Sequence, residues 1–367
     1  MREKMEKTKL WNKAKTRLFE LYGEDPDIRI VNRFLSEQQA FSQFDCITYF
    51  DAIARLRGEV GEKGEILIGK SVLGSSFTAY LLGATDVNPL PLHEYCEDCK
   101  KAVFLDAYSK KFPFDLEGKE CSCGGETYYN GFDIPFETYL PYVKKGVEFN
   151  SKNYRELYDE ITSHITPSLC ILTDRCCELE RRTGRPMLTF YLGDKSVLSH
   201  FCEGDFIGFS EDEAKLLCEM AKIAKPQTYG DILKLLGLAH GTQSWCHSAG
   251  ELLLNGDCTL SDIPATRDEV FTDIRDVLRK NGIADTGFAY DVANKARKGY
   301  YSEHGMDGYT HKTLRDLGFE DWYIAYLLRV RHLAPKALSV TELTYRIILA
   351  SYCLAFPEEY REGEKKT

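Results

Sequence analysis

Four cysteines in the first third of the chain have the spacing of metal ligands. Two residues separate Cys96 from Cys99 and one separates Cys121 from Cys123, while His93 precedes the first pair. Two thiolate pairs on tight turns can close a tetrahedral zinc site, whose four protein ligands leave no open position for catalysis. Only one residue separates Cys121 from Cys123, where two are usual. A zinc site completed by His93 and a decayed site without metal are therefore alternatives to the four-thiolate site. The spacing favours structural zinc.

A glycine- and serine-rich turn could bind phosphate. It follows a strand-like run at residues 66–68 and precedes a helical pattern that begins at Phe77. Backbone amides at the start of a helix can hold a phosphate, although this turn lacks the Lys-Ser/Thr ending of a Walker A loop. A turn that only packs is the alternative interpretation. The candidate phosphate-binding residues are Gly69, Lys70, Ser71, Gly74, Ser75 and Ser76.

A third group of candidates is basic and lies between residues 275 and 298. Its last members end a probable helix just before Gly299, where cations also suit the negative end of the helix dipole. Contact with a DNA backbone and a plain helix-end preference explain this pattern equally well. The candidate DNA-binding residues are Arg275, Arg279, Lys280, Lys295, Arg297 and Lys298.

The composition is that of a globular protein with more than one domain. The chain has 367 residues, of which 43% are hydrophobic and 28% are charged. This composition excludes a wholly disordered protein, a collagen-like repeat and a coiled coil. Lys and Arg number 47 and Asp and Glu number 57, which gives a net charge of −10. An acidic chain binds nucleic acid poorly overall, so any contact with DNA must use local basic patches.

The sequence predicts a cytoplasmic protein without a membrane partner. Its first nine residues are rich in charge and lack the apolar stretch of a secretory signal. The longest apolar run, Ile347 to Phe356, is far too short to span a bilayer. In a reducing compartment, the 13 cysteines favour metal ligation or buried thiols over disulfides.

The hydrophobic pattern predicts which elements position these groups. Residues 8–57 predict two or three helices, and a short strand at 66–68 leads into the glycine-serine turn. The segment 93–126, which holds the four cysteines, is rich in turns. Short strand-like and helical runs mix over 127–210, and from Asp212 onward the pattern is almost entirely helical.

Three stretches of the chain resemble the PolC-type alpha subunit of bacterial DNA polymerase III. The first is VLGSSFTAYLLGATDVNPLPLHEYCEDC at residues 72–99, which resembles the family's Gly-Ser-Ser turn, the helix after it and the first cysteine pair. The second is GFDIPFETYL at 131–140, which in the family leads into the catalytic strand. The third runs from Lys225 to Arg361 and contains LLGLAHGTQSW, CTLSDIPATRDEV, ARKG, WYI and APKA. All three stand in the family's order.

The resemblance implies an α+β fold. It would combine a reduced palm of the DNA polymerase beta-like nucleotidyltransferase type, which carries the cysteine-rich zinc knuckle, with a mostly helical fingers-like domain. In such a palm the glycine-serine turn holds the phosphates of the incoming nucleotide, and aspartates bind two Mg²⁺ ions for in-line transfer. The implied divisions are an N-terminal helical lead-in at 1–60, a palm-like domain at 61–220 with the knuckle at 93–126, a fingers-like domain at 221–361 and a disordered tail at 362–367.

The catalytic carboxylates depart from the family pattern. After the FETYL motif the family has two aspartates, whereas here Glu148 stands at the second position and the first has no counterpart. Cys202 stands at the place of the third aspartate, with Glu203 and Asp205 nearby. One carboxylate cannot organise two Mg²⁺ ions, and cysteine is a poor ligand for a hard cation.

The departures predict a catalytically deficient pseudo-polymerase of DNA replication type, retained for binding DNA, a nucleotide or a protein partner. Zinc is its expected structural cofactor, and Mg²⁺ is expected only if catalysis persists. The alternative is an active nucleotidyltransferase whose Mg²⁺-binding carboxylates are re-sited among Glu148, Glu203, Asp205 and Asp133. A gene product without selected activity is a third interpretation.

Overall fold

The computed structural model describes residues 2–41, 47–61, 66–69, 72–105, 111–138, 169–172 and 175–364. The chain forms two compact units. Unit 1 comprises Met1–Gly193 together with Ser351–Thr367, and unit 2 comprises Asp194–Ala350. The described residues form many helices and two small antiparallel sheets, which confirms the predicted mixture of helix and strand. None of the helices in these ranges is both long and apolar enough to cross a membrane.

Unit 1 begins with three helices, as the sequence predicted. They are α1 (Arg2–Tyr22), α2 (Ile28–Phe41) and α3 (Ile47–Gly61). Apolar residues recur about one turn apart on each helix, as in Ala14 and Leu18 of α1 and Ile30 and Phe34 of α2, and these side chains are buried. They share one core with Phe50 of α3 and with the residues that follow the glycine-serine turn. The helical lead-in and that turn therefore pack together.

The rest of unit 1 contains short strands and helices. They are β1 (Ile66–Gly69), α4 (Phe77–Leu81), β2 (His93–Cys96), β3 (Lys101–Phe104), β4 (Thr127–Asn130), β5 (Leu169–Leu172) and α5 (Arg175–Thr183). Strands β1 and β5 pair antiparallel, with Ile66 opposite Leu172. The second sheet has the order β3-β2-β4, and both of its pairings are antiparallel. The short strand predicted at 66–68 is confirmed.

Unit 2 is helical, in agreement with the prediction for the chain from Asp212 onward. Its helices are α6 (Lys195–Cys202), α7 (Glu211–Ala224), α8 (Tyr229–His240), α9 (Gly250–Asn255), α10 (Arg267–Lys280), α11 (Gly287–Arg297), α12 (Tyr300–His304), α13 (Gly308–Asp316), α14 (Asp321–Arg329) and α15 (Lys336–Ala355), the last of which ends beyond the unit boundary. Capping boxes begin α7, α8 and α10, where a Ser or Thr hydroxyl and an acidic side chain three residues later satisfy the first free amides.

Unit 1 also contains the last helix of the described residues, α16 (Pro357–Glu364). Tyr360 on this helix is buried, and Arg182 of α5 donates to the carbonyl of Glu359. The tail predicted at 362–367 lies mostly outside the described residues, so its predicted disorder stays a prediction.

Candidate functional site

The four predicted thiol ligands come together at one end of the three-stranded sheet. Cys96 is the last residue of β2, and Cys99 lies in the turn between β2 and β3. Cys121 and Cys123 lie in the turn that leads into β4. The Sγ atoms of Cys96 and Cys123 are 3.5 Å apart, and those of Cys99 and Cys121 are 3.7 Å apart. All four Sγ atoms lie within 4.8 Å of one another.

These distances fit one tetrahedral metal ion. A Zn–S bond of about 2.3 Å implies an edge of about 3.8 Å between sulfurs around a tetrahedral zinc. The closest sulfurs belong to different turns, so a single ion would join the two knuckles. Among the described residues, these four thiols are the one cluster of His, Cys, Asp or Glu side chains arranged to hold a metal. An all-thiolate set suits zinc and leaves no coordination position for a substrate.

The backbone explains how the short second gap is accommodated. The N–H of Cys121 donates to the carbonyl of Gly125 at 2.7 Å, and the N–H of Gly124 donates to the carbonyl of Cys121 at 2.9 Å. Gly124 has a φ of +90°, which a residue with a side chain would adopt only with strain. The N–H of Cys123 points at the Cys121 thiol and lowers the pKa of that thiol to about 7. The tight turn therefore favours a thiolate at Cys121.

His93, the alternative ligand, is not a member of the four-thiol group. Its ring is fully buried and packs against Phe104, with centroids 4.9 Å apart. Its Nδ1 lies 2.7 Å from the carbonyl oxygen of Pro91. Burial lowers the pKa of His93 to about 4, so the imidazole is neutral at physiological pH. In this position the ring supports the core beneath the sheet.

The glycine-serine turn is mostly buried where the structure describes it. Lys70 and Ser71 lie outside the described residues, and Gly69 ends β1. Gly74 and Ser75 belong to a short 3-10 turn, and Ser76 caps α4 by accepting a hydrogen bond from the N–H of Ala79 at 3.0 Å. The side chains of Ser75 and Ser76 are fully buried.

A buried carboxylate already occupies the start of α4. Glu37 of α2 has no exposed surface and accepts hydrogen bonds from the amides of Phe77 and Thr78, both at 2.8 Å. It also accepts one from the Ser76 hydroxyl at 2.9 Å. With the N–H of Ala79 bound to Ser76, the first three amides of α4 all have protein acceptors. The anion at this helix start is therefore Glu37 itself.

Arg33 balances the charge of Glu37. Its Nε donates to Glu37 at 2.6 Å, one helical turn away on α2. Its guanidinium also donates to the carbonyl oxygens of Ser75 at 2.7 Å and Ile134 at 2.9 Å. The guanidinium lies 5.2 Å from the ring centroid of Phe136. Sequence reasoning missed both residues, although an Arg–Glu pair at this spacing was the available signal.

The candidate catalytic carboxylates that the structure describes belong to different units. Glu148 lies outside the described residues. Glu203 follows α6, is exposed and accepts from the Ser199 hydroxyl at 3.2 Å. Asp205 is also exposed, and one of its oxygens lies 2.8 Å from Nδ1 of His200. Both belong to unit 2, whereas the glycine-serine turn and Asp133 belong to unit 1.

Five of the six candidate DNA-binding residues lie on α10 and α11, two helices of unit 2 that pack together, and Lys298 follows directly after α11. Arg279, Lys280 and Lys298 are exposed. Arg275 is half-buried and its Nε donates to Asp276 at 2.8 Å. The other two also have partners in the fold: Lys295 lies 3.9 Å from an oxygen of Asp307, and Arg297 donates to Asn294 at 2.9 Å. Three of the six cations are therefore exposed, and among them Lys280 also interacts within the fold.

The chain is similar to curated PolC-type DNA polymerases III. It is 22% identical to the enzymes named DNA polymerase III PolC-type of Staphylococcus aureus strains MW2 and USA300, over 471 aligned residues that cover 93% of this chain and 32% of each relative. The chain thus spans about a third of the length of these relatives. No family model matches it. The similarity supports a distant relationship to this class of polymerase.

The four-thiol group should bind about one zinc ion per chain. We expect Cys99→Ser to lower the zinc affinity more than about 100-fold, because even the loss of an outer-shell partner costs 10–100-fold. Bound zinc is measured by mass spectrometry of the metal, and affinity by competition with a chromogenic chelator. Cys246→Ser is the matched control, because this exposed thiol lies in unit 2, outside the group. An equal loss in both variants, or a reduced wild-type chain that takes up no zinc, would contradict the assignment.

Glu37→Gln should destabilise unit 1 by about 3–5 kcal/mol, the usual cost of leaving one charge of a buried pair without its partner. Arg33, whose side chain is only 14% exposed, would lose its counter-ion. The added amide N–H group would also face the donors at the start of α4. Urea unfolding followed by tryptophan fluorescence measures the effect, since Trp11 packs against Phe34 in this core.

Glu20→Gln is the control for that experiment. Glu20 also pairs with an arginine of its own helix, Arg17, but both side chains are about half exposed. An exposed pair contributes little, so this variant should shift the free energy of unfolding by less than about 0.5 kcal/mol. Similar shifts in the two variants would show that Glu37 has no special role.

Proposed function

We propose that this chain is a catalytically deficient relative of PolC-type DNA polymerase III that has kept DNA binding. The observation that carries the proposal is the distant similarity across 93% of the chain, and the inferred departure of this sequence from the family's aspartate pattern supports the loss of catalysis. The alignment of 471 residues is longer than the chain of 367, so the relatives contain extra segments within it. This difference supports a reduced palm.

The chemistry of the family explains why these departures matter. Two metal ions about 3.5–4 Å apart stabilise the attacking and the leaving oxygen, and they need several carboxylates that converge on them. In this chain Glu148 is the one acidic residue at an aspartate position of the motif, and Glu203 and Asp205 are solvent-exposed side chains with partners of their own. Without the metal pair, most of the electrostatic stabilisation of the transition state is lost.

The start of α4 leaves no free amide for a nucleotide phosphate. Ser75 and Ser76 are buried, and the amides of Phe77 and Thr78 are bound by Glu37. Lys70 is the cation that the sequence offers for a phosphate contact in the glycine-serine turn.

DNA binding is proposed for the exposed cations of α10 and α11. Arg279, Lys280 and Lys298 extend into solvent, and long cationic side chains of this kind neutralise backbone phosphates without reading sequence. With a net charge of −10, the chain as a whole does not attract DNA, so the attraction must come from local groups of cations such as this one.

A primer-extension assay tests the loss of catalysis. We expect no incorporation of deoxynucleotides with Mg²⁺ or Mn²⁺, from protein whose folding is verified by circular dichroism. Incorporation that disappears in Glu148→Ala but persists in Glu203→Ala would overturn the proposal and place a rebuilt metal site at Glu148. The same preparation, tested for binding to a primer–template duplex, should retain DNA binding.

The triple variant Arg279→Ala, Lys280→Ala and Lys298→Ala tests DNA binding. Each lost phosphate contact should lower the slope of log affinity against log salt by about 1, and affinity should fall by a similar factor for unrelated DNA sequences. Fluorescence anisotropy at several salt concentrations measures both effects. Lys215→Ala is the control, because this exposed lysine lies on α7 and pairs with Glu211. An unchanged slope in the triple variant would contradict the proposed contact.

A further inference from the structure

Two tyrosines of unit 2 present aromatic rings to solvent on neighbouring helices. Tyr309 of α13 is 74% exposed and Tyr300 of α12 is 44% exposed. Phe288 of α11 meets the Tyr309 ring edge-on, with centroids 6.3 Å apart. His304 stacks on the Tyr300 ring at 4.6 Å, with 17° between the planes. Each exposed ring is thus held by a second ring while part of its surface faces water.

The two ring pairs belong to one surface along α11. Phe288 and Lys295 are two helical turns apart, so they lie on the same face, about 10 Å from each other along the axis. The Lys295 ammonium lies 5.7 Å from the Tyr300 centroid and 3.9 Å from an oxygen of Asp307, which precedes α13. We call the set Phe288, Lys295, Tyr300, His304 and Tyr309 the aromatic surface.

The turn between α11 and α12 is fixed by a close approach of two backbones. Gly299 has a φ of +70°, and a Cβ at this position would lie 2.5 Å from the carbonyl oxygen of Arg331. Of the next two residues, Tyr301 is buried in the core and Tyr300 is exposed to solvent. The exposed ring is therefore held in place before any ligand arrives, which lowers the entropic cost of binding to it.

We propose that the aromatic surface binds unpaired bases of single-stranded DNA. Bases of any sequence stack on exposed aromatic rings, and nearby cations hold the phosphates between them. Lys295 and the exposed Lys298 supply that charge beside Tyr300. In a duplex the faces of the bases are covered by their neighbours, so exposed rings of this kind select an unpaired strand.

This inference rests on the proposed DNA binding and adds the form of DNA that is bound. The inference also gives different roles to the cations and to the two exposed tyrosines. The cations of α10 and α11 would contact phosphates of either form, whereas Tyr300 and Tyr309 would act only on unpaired bases. The two roles predict different responses to the same pair of DNA ligands, so they can be tested separately.

The test compares a short fluorescein-labelled oligothymidine with a short labelled duplex by fluorescence anisotropy. We expect the double variant Tyr300→Ala and Tyr309→Ala to bind the single strand about tenfold or more weaker, with duplex affinity unchanged. The double variant Tyr300→Phe and Tyr309→Phe should bind like wild type, because the rings remain. Tyr191→Ala is the control, since this tyrosine is 58% exposed but lies in unit 1.

The possible results distinguish a failure of this inference from a failure of the proposed DNA binding. If the wild-type chain binds DNA and the tyrosine-to-alanine variant binds the single strand equally well, the inference about the aromatic surface is wrong. The proposed DNA binding then still holds. An equal loss for single strand and duplex overturns base stacking. A wild-type chain that binds neither ligand overturns both proposals.

Photocrosslinking provides a second measurement that does not depend on how the variants fold. An oligonucleotide that contains 5-bromodeoxyuridine crosslinks to aromatic residues on which the modified base stacks. With the wild-type chain, mass spectrometry should find the crosslink on the peptides that contain Tyr300 or Tyr309. Crosslinks found only elsewhere would overturn the inference.

Discussion

The buried carboxylate of Glu37 is the interaction on which the arrangement of unit 1 depends. A charge with no exposed surface is tolerated only when it is paired and fully hydrogen-bonded, so its position requires the amides of α4 and the guanidinium of Arg33 together. Arg33 in turn binds the carbonyls of Ser75 and Ile134, which are far apart in sequence. A shift of the glycine-serine turn would break several of these charge-assisted bonds at once.

The same core supports the four-thiol group. Asn88 donates to the hydroxyl of Tyr22 at 3.0 Å, and the Tyr95 hydroxyl donates to the carbonyl of Leu21. Helix α1 therefore holds both the loop after α4 and the strand that ends in Cys96. The strand pairing and the backbone hydrogen bonds of the two turns bring the four thiols together. The knuckle is a consequence of the core, and zinc would stabilise an arrangement that the core already favours.

The sequence predicted those parts that depend on local pattern. Apolar spacing gave the three N-terminal helices and the helical unit 2, and the cysteine spacing gave the four-thiol group. Glu37 could not be predicted, because an Arg–Glu pair one turn apart usually lies on a solvated helix face and only the tertiary fold buries it. The exposure of Tyr300 and Tyr309 could not be predicted, because the sequence does not distinguish an exposed tyrosine from a buried one.

Strand β2 is the central strand of its sheet, between β3 and β4. Its pairing with β3 needs only the turn at 97–100, whereas its pairing with β4 must close the much longer chain 97–126. Short loops close faster and at a lower entropic cost. We therefore expect the hairpin that carries Cys96 and Cys99 to form first during folding, and the second cysteine pair to dock on it later. The second pair would then also be the first to detach, so a bound metal would be released from that side.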